Sequence, residues 1–208
     1  MRTHAAPDQA GERAAGEQVV AAARLMAEAG LVVGTTGNVS ARVPGGLLVT
    51  PTRIAYDRLE PRDLARIGLD GTAPSPEPAP SREWPLHAAV YRARPDVGAV
   101  VHTHSVHATA WSFLDEPLMP SIEDCGYYET GPIRTARHAP GGTAALAENA
   151  VAALRDSAAV LLGRHGVLAT GPTPADALTI AQVVEHQAHV AWLLRRPPGL
   201  VRPGDYPQ

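Results

Sequence analysis

Apolar and polar positions alternate with two different periods along the chain. From Gly11 to Gly30 the apolar residues Val19, Val20, Ala23, Leu25 and Met26 recur at helical spacing. A helix is predicted there, stopped by Gly30, with residues 1–10 as a flexible arm. The stretch 31–43 and the stretch 47–52 place β-branched residues beside small polar ones around the turn Pro44-Gly45-Gly46, which reads as strands about a hairpin. A short helical turn is expected near 60–64, then a strand ending at Asp70-Gly71, then a proline-rich connector over 72–80. Ser81 is placed to cap a helix over 81–94, with Pro85 tolerated near its first turn. The apolar run from Val97 reads as a buried strand that turns helical after Ser105. A helix over 143–156, strands over 158–163 and 167–170 around the turn Gly163-Arg164-His165-Gly166, and a final helix over 173–196 complete the pattern. Thr173 caps that last helix and Pro174 takes its first position.

Composition narrows the function before any motif is considered. With 208 residues, 45% hydrophobic and 19% charged, the chain has the size of one domain, expected over 11–196 with a tail over 197–208. The net charge of −3 gives no basic surface for a nucleic-acid partner. All 18 Lys+Arg residues are arginine. Without lysine there is no Schiff base, no phosphate-loop lysine and no Ser-x-x-Lys nucleophile, so carbonyl chemistry here needs another electron sink. The single Cys125 excludes an internal disulfide and a Cys-x-x-Cys site, which suits a reducing cytoplasm. No apolar stretch approaches the roughly 18–20 residues of a membrane span, and the N-terminus lacks a signal-peptide pattern.

Histidine supplies the candidate chemistry. His102 and His104 stand one residue apart at the end of an apolar run, so in extended backbone both imidazoles leave the same face and suit one divalent metal, zinc being the usual guest of nitrogen ligands. A hydrogen-bonded pair of histidines with no metal fits the same spacing. His165, flanked by Gly163 and Gly166 in a turn, offers a third ligand and would leave zinc an open position; a solvent-facing turn histidine is the alternative. Competing His-x-His chemistries lack their partners. Val106 occupies the place of the aspartate in the His-x-His-x-Asp-His metallohydrolases, the first acid after the pair is Asp115 where a cupin wants a nearby glutamate, and a lysine-bridged amidohydrolase has no lysine. Glu83, beside Trp84 at a predicted helix start, is either a proton-transfer group or an acid favoured there by the helix dipole. The turn Gly34-Thr35-Thr36-Gly37-Asn38 offers backbone N–H groups and hydroxyls to an anion. His186 and His189, three apart beside Glu185, read as a solvated or interface face, while His87 and His107 are expected on helix faces near the cleft and His138 in a loop.

Taken together, the segments GTTGNVSAR, LLVTPTRIAYDRL, PSREWPLHAAVYRARPDVGAVVHTHSVHATA and LLGRHGVLATG resemble, in order and spacing, the class II aldolase/adducin family over about residues 12–195, with most similarity to its L-fuculose-1-phosphate aldolases. The resemblance implies an α/β, three-layer fold with a central, largely antiparallel sheet flanked by helices, assembled as a homotetramer with active sites between subunits. It makes His102, His104 and His165 zinc ligands and Glu83 the catalytic acid/base that also ligates the resting metal. Gly37, Asn38, Thr52 and Ser81 fall on contacts to a substrate phosphate. The implied reaction is reversible cleavage of a ketose 1-phosphate to dihydroxyacetone phosphate and an aldehyde, with zinc holding the enediolate charge in place of the missing Schiff base. A second acid/base is expected after the paired histidines, at Asp124 or Glu123, or from Tyr206 in the tail. A dehydratase or decarboxylase using the same enolate, and a non-catalytic adducin-like module, are the alternatives. Two departures bear on the substrate: Arg53 and Arg82 stand where the fuculose pattern has small residues, either gripping an anion or filling its pocket.

Overall fold

The computed structural model describes residues 9–72, 79–114 and 116–195. Helix α1 (Gln9–Glu28) opens two residues before the predicted start and leads to strands β1 (Asn38–Val43) and β2 (Gly46–Val49), a 3-10 turn over Pro61–Asp63, and β3 (Ala65–Gly68). Helix α2 (Trp84–Ala93), strand β4 (Ala99–Thr103), helices α3 (Val106–Trp111) and α4 (Glu123–Tyr127), and strand β5 (Thr135–Ala136) follow. Helix α5 (Ala144–Leu154), strands β6 (Ala159–Leu162) and β7 (Gly166–Gly171), and helix α6 (Pro174–Leu194) end the described chain.

The seven strands form one sheet in the order β3-β2-β1-β4-β7-β6-β5, antiparallel throughout except where β5 runs parallel to β6. Strand alternation then sorts side chains into two cores, giving the expected three layers. Val39 and Ala41 of β1, Val101 of β4 and Val167 and Ala169 of β7 face α1, α3 and α6. Val100, Val160, Leu162 and Leu168 face the other way, onto Leu86 and Val90 of α2 and Leu146 and Ala150 of α5. On this second face β1 presents Asn38, Ser40 and Arg42, and the register Asn38↔His102 sets its polar end beside the end of β4.

Local chemistry explains the ends of the elements. Thr173 and Asp176 form a reciprocal capping box at α6, with Pro174 at its start as predicted. Thr143 caps α5 by accepting from the Leu146 amide at 3.2 Å. Three expectations are corrected. Residues 31–37 are a loop, not a strand, because Gly34 and Gly37 adopt φ +61° and +72°, outside the extended region. Helix α2 begins at Trp84 with Glu83 as its N-cap residue, so Ser81 is not the cap; its carbonyl accepts from the Trp84 amide at 3.1 Å and its hydroxyl from the Glu83 amide at 3.3 Å. Strand β3 stops at Gly68, where the Asp70 carboxylate folds a turn onto the Thr72 amide and hydroxyl. Helix α4 and strand β5 are too short to leave a periodic signal in the sequence. Most of the proline-rich connector lies outside the described residues, as do 196–208 with Tyr206, and 1–8.

Candidate metal centre

The end of β4 carries the paired histidines. His102 and His104 leave the strand toward the α2 face, and the hairpin turn between β6 and β7 brings His165 onto the same spot. The three rings pack edge to face with centroids 4.8, 4.8 and 4.9 Å apart. Glu83 arrives from the N-terminus of α2, and the four ligand atoms of Glu83, His102, His104 and His165 lie within 4.8 Å of one another. No other group of three or more potential metal-ligating side chains is found among the described residues.

Several contacts favour a cation at the centre of this group. The His102 Nδ1–H donates to the Val167 carbonyl at 2.7 Å, which turns Nε2 toward the cluster. That Nε2 stands 3.0 Å from His104 Nε2 and 3.2 Å from Glu83 Oε2, and His165 Nε2 stands 3.3 Å from Glu83 Oε1. Two imidazole lone pairs at 3.0 Å repel unless a proton or a metal lies between them. Glu83 Oε1 is buried with no hydrogen-bond donor among the described residues, an orphaned carboxylate oxygen that a divalent cation would satisfy. Burial lowers the pKa of His104 to about 4 and also lowers that of His165, and the close packing of the imidazoles, which disfavours a second proton in the cluster, adds to both effects. Both are therefore neutral at pH 7 and have lone pairs to give. Burial alone would raise the Glu83 pKa, but the contact with His102, the nearby His165 imidazole and the Asn38 amide outweigh it and hold the carboxyl well below the usual carboxylate range.

A cavity of about 520 Å³ opens over the cluster, lined by Thr35, Thr36, Gly37, Asn38, Thr52, Ser81, Arg82, Glu83, His104, Gly141 and His165. The backbone explains how these meet. The Thr52 amide donates to the Ala79 carbonyl and the Ser81 amide to the Thr50 carbonyl, both at 3.0 Å, which aligns Thr52 with Ser81 along one wall. The His104 amide donates to the Leu31 carbonyl at 3.1 Å and ties the 31–37 loop to the end of β4. Tyr56 donates from its hydroxyl to the carbonyls of Gly37 at 2.7 Å and Thr36 at 3.1 Å. Gly37 itself has no room for a side chain, since a Cβ would come within 2.7 Å of the His102 carbonyl oxygen. A larger cavity of about 590 Å³ lies by Val97, Thr170 and Gly171, at the other end of β4 and β7, and holds no comparable cluster among the described residues.

The remaining candidates distribute unevenly. Asn38 borders the cavity but is only 2% exposed, its amide donating to Glu83 Oε2 at 3.0 Å. Arg82 lines the mouth and is exposed. Arg53 is exposed, does not line the cavity, and adopts φ +66°, a left-handed backbone that favours glycine. Glu123 and Asp124 are exposed on α4 and are not among the cavity residues of their own chain. His107 pairs with Glu185 at 2.8 Å and stacks on His189 with ring centroids 3.8 Å apart, so the α6 histidine is a packing contact. His87, expected on a helix face near the cleft, is buried against β1 and does not line the cavity, while Gly141, which the sequence does not single out, sits against Glu83 and His165. A legible signal exists for His87, because Glu83, His87 and Tyr91 follow one another at four-residue spacing on a helix.

Comparison with known proteins gives the family and the fold. Over 174 residues the chain is 38% identical to the 5-methylthioribulose-1-phosphate/5-deoxyribulose-1-phosphate aldolase of Rhodospirillum rubrum, covering 84% of this chain and 78% of that protein. It is 39% identical over 170 residues to the L-fuculose phosphate aldolase of Escherichia coli K12, covering 81% and 78% respectively. Among solved structures, an L-fuculose 1-phosphate aldolase superposes with a TM-score of 0.82 at 28% identity, covering 98% of this chain and 95% of the other. The L-fuculose-1-phosphate aldolase of Thermus thermophilus does so with a TM-score of 0.78 at 29% identity, covering 88% and 96%. Residues 17–192 match the family described as Class II Aldolase and Adducin N-terminal domain, and the chain belongs to that family.

Proposed function

We propose that this chain is a zinc-dependent aldolase that reversibly cleaves a ketose 1-phosphate to dihydroxyacetone phosphate and an aldehyde. The observation that carries the reading is the orphaned Glu83 Oε1 set among three imidazoles at the floor of a cavity whose walls are hydroxyls and backbone amides. His102, His104 and His165 would hold the metal with Glu83 as a further resting ligand. When bound, zinc supplies a Lewis acid that withdraws electron density from the substrate's oxygens, the role a lysine Schiff base plays elsewhere. The protein's own groups do the rest. The Thr52 and Ser81 hydroxyls, with the backbone of Gly37 and Asn38, bind the phosphate end and fix the donor's carbons over Glu83. Glu83 takes and returns the proton at the donor's hydroxymethylene carbon through Oε1, since Oε2 is occupied by the Asn38 amide.

Retro-aldol cleavage also needs a group that removes the proton from the hydroxyl which becomes the aldehyde. The exposure of Asp124 and Glu123 away from their own cavity fits a role in a neighbouring subunit of a homotetramer, where either residue, or Tyr206, would reach the site from across the interface. Arg82, which lines the cavity, fits an anion-gripping role; Arg53 does not line the cavity of its own chain and would take that role only for an anion reaching beyond it. The absence of any long apolar helix among the described residues and the single buried Cys125 fit a cytoplasmic enzyme.

A dehydratase or decarboxylase would use the same metal and base but break a different bond, and an adducin-like module would have no use for the histidine cluster. Metal-loaded protein incubated with L-fuculose 1-phosphate, 5-deoxyribulose 1-phosphate and 5-methylthioribulose 1-phosphate separates these readings. Dihydroxyacetone phosphate and the matching aldehyde are expected from at least one of the three. Carbon dioxide or a deoxyketone in their place, or no product from any of them, would defeat the aldolase reading.

A further inference from the structure

Behind the metal cluster a line of polar side chains crosses the apolar layer between β1 and α2. Glu83 at the N-cap of α2 and His87 and Tyr91 within the helix follow at four-residue intervals, and Asn38, Ser40 and Arg42 project from β1 at two-residue intervals, so the two sets interleave. The contacts run without a break. Asn38 Nδ2 meets Glu83 Oε2 at 3.0 Å, Asn38 Oδ1 meets His87 Nε2, His87 Nδ1 meets Ser40 Oγ at 2.6 Å, and Ser40 Oγ meets the Tyr91 hydroxyl at 2.7 Å. Arg42 closes the far end, its guanidinium 4.7 Å from the Tyr91 ring centre and bonded to the carbonyls of Tyr91, Arg94 and Val97.

The direction of every bond follows from the first. The carboxylate can only accept, so Asn38 presents its NH₂ to Glu83 and its oxygen to His87. That oxygen needs a donor, which makes His87 the Nε2–H tautomer. Burial is the main cause that holds the His87 pKa to about 3, so the imidazole is neutral and its Nδ1 must accept the Ser40 O–H. Ser40 Oγ then accepts from Tyr91, whose hydroxyl burial keeps protonated. His87 and Ser40 are both 0% exposed, so in the intact line each depends on its neighbours rather than on bulk water for its hydrogen bonds.

We propose that His87 is a positioning residue for Glu83: acting through the Asn38 amide, it fixes which carboxylate oxygen is hydrogen-bonded and leaves Oε1 free to face the metal and the substrate. Without His87, Asn38 loses the partner that sets its amide and is free to turn, and the carboxylate loses its anchor. Partners of this kind, one step removed from the ligands, are typically worth 10–100-fold in metal affinity or activity. The inference rests on the assignment of Glu83 in the proposed function, so its test includes a measurement that needs no turnover.

The variants are His87→Phe, which keeps a ring and deletes both polar contacts, His87→Gln, which returns a donor near the Nε2 position, and Ser40→Ala, which removes the hydroxyl that donates to His87 Nδ1 and accepts from Tyr91. Each is titrated with cobalt(II) and followed by its visible bands, then assayed with zinc on whichever ketose 1-phosphate the wild-type chain cleaves. For His87→Phe the cobalt bands should shift and the apparent Kd weaken about tenfold, while kcat falls about 10–100-fold with KM changed less than about threefold. His87→Gln should recover most of both losses, and Ser40→Ala should show the same shift at smaller amplitude, which also decides the matter if His87→Phe does not fold. Unchanged cobalt bands in folded His87→Phe, or in Ser40→Ala where His87→Phe is unfolded, would overturn the proposal. So would a Gln variant no better than Phe. If the wild type binds cobalt but cleaves no ketose 1-phosphate, the aldolase reading fails while the cobalt series still decides the role of His87.

Discussion

At the residue scale, each side chain of the cluster has a different vulnerability. If His104 is a ligand, as proposed, replacing it by alanine removes an imidazole that burial already keeps unprotonated, so the variant should lose most bound zinc at pH 7, as counted by metal analysis after gel filtration. Full metal content in that variant would exclude His104 from the ligand set. Arg53 makes a separate prediction because its backbone is strained where glycine would be relaxed, φ being +66°. Arg53→Gly should stabilise the fold by up to about 1 kcal/mol in urea unfolding, since the left-handed region costs a side-chain-bearing residue about that much. If the guanidinium grips the substrate's anion, the same change combined with Arg82→Ser should raise KM by roughly tenfold or more, a charge-assisted contact being worth about 1.5–3 kcal/mol before solvent screening. A stabilised double variant with unchanged KM would mean that both arginines only face water.

At the element scale, the site depends on the ends of β4 and α2 and on the loop that binds them. Gly37 is where this loop is least tolerant, because its φ of +72° and the 2.7 Å approach to the His102 carbonyl both exclude a Cβ. Gly37→Ala should therefore destabilise the metal-free protein by about 1–3 kcal/mol and reduce zinc affinity, measured together by thermal melting and metal titration. A melt and a titration like those of the wild type would show that the loop does not support β4. This scale also marks what the sequence could disclose. The long helices and central strands are legible from period and caps, as with Thr173-Pro174, and His-x-His on a strand end implies one face. The 31–37 loop reads as strand because Val32 and Val33 carry a strand signal that only Gly34 and Gly37 contradict. The start of α2 is masked because Ser81 has a capping residue's chemistry, whereas Glu83 takes the position without making a side-chain cap bond. The His87 chain is only half legible, because the four-residue spacing of Glu83, His87 and Tyr91 is local whereas its partners on β1 meet it through a register, Asn38↔His102, that no local pattern encodes.

At the scale of the whole molecule, two cores on opposite faces of one sheet carry the stability, and the polar line between β1 and α2 makes it depend on pH. The His87 pKa falls from 6.5 to about 3 on folding, with burial as the main cause. Below pH 6.5 the unfolded chain binds a proton that the folded one refuses, so this contribution is complete above pH 6.5 and is lost as the pH falls toward 3, by about 1.4 kcal/mol per unit. The urea midpoint of the metal-free protein should therefore drop between pH 7.5 and pH 5, and the drop should shrink in His87→Phe; an equal drop in both would assign it to other groups. Whether Glu83 moves the donor's proton beside a metal held by three histidines can be measured without knowing the aldehyde. Zinc-loaded protein is incubated with dihydroxyacetone phosphate in deuterated water, and label at the hydroxymethylene carbon is followed by NMR. The wild type should exchange one hydrogen, and Glu83→Gln should keep its zinc while exchanging about 10²–10⁴-fold more slowly. Exchange at the wild-type rate in Glu83→Gln, or none in fully loaded wild type, would contradict the account.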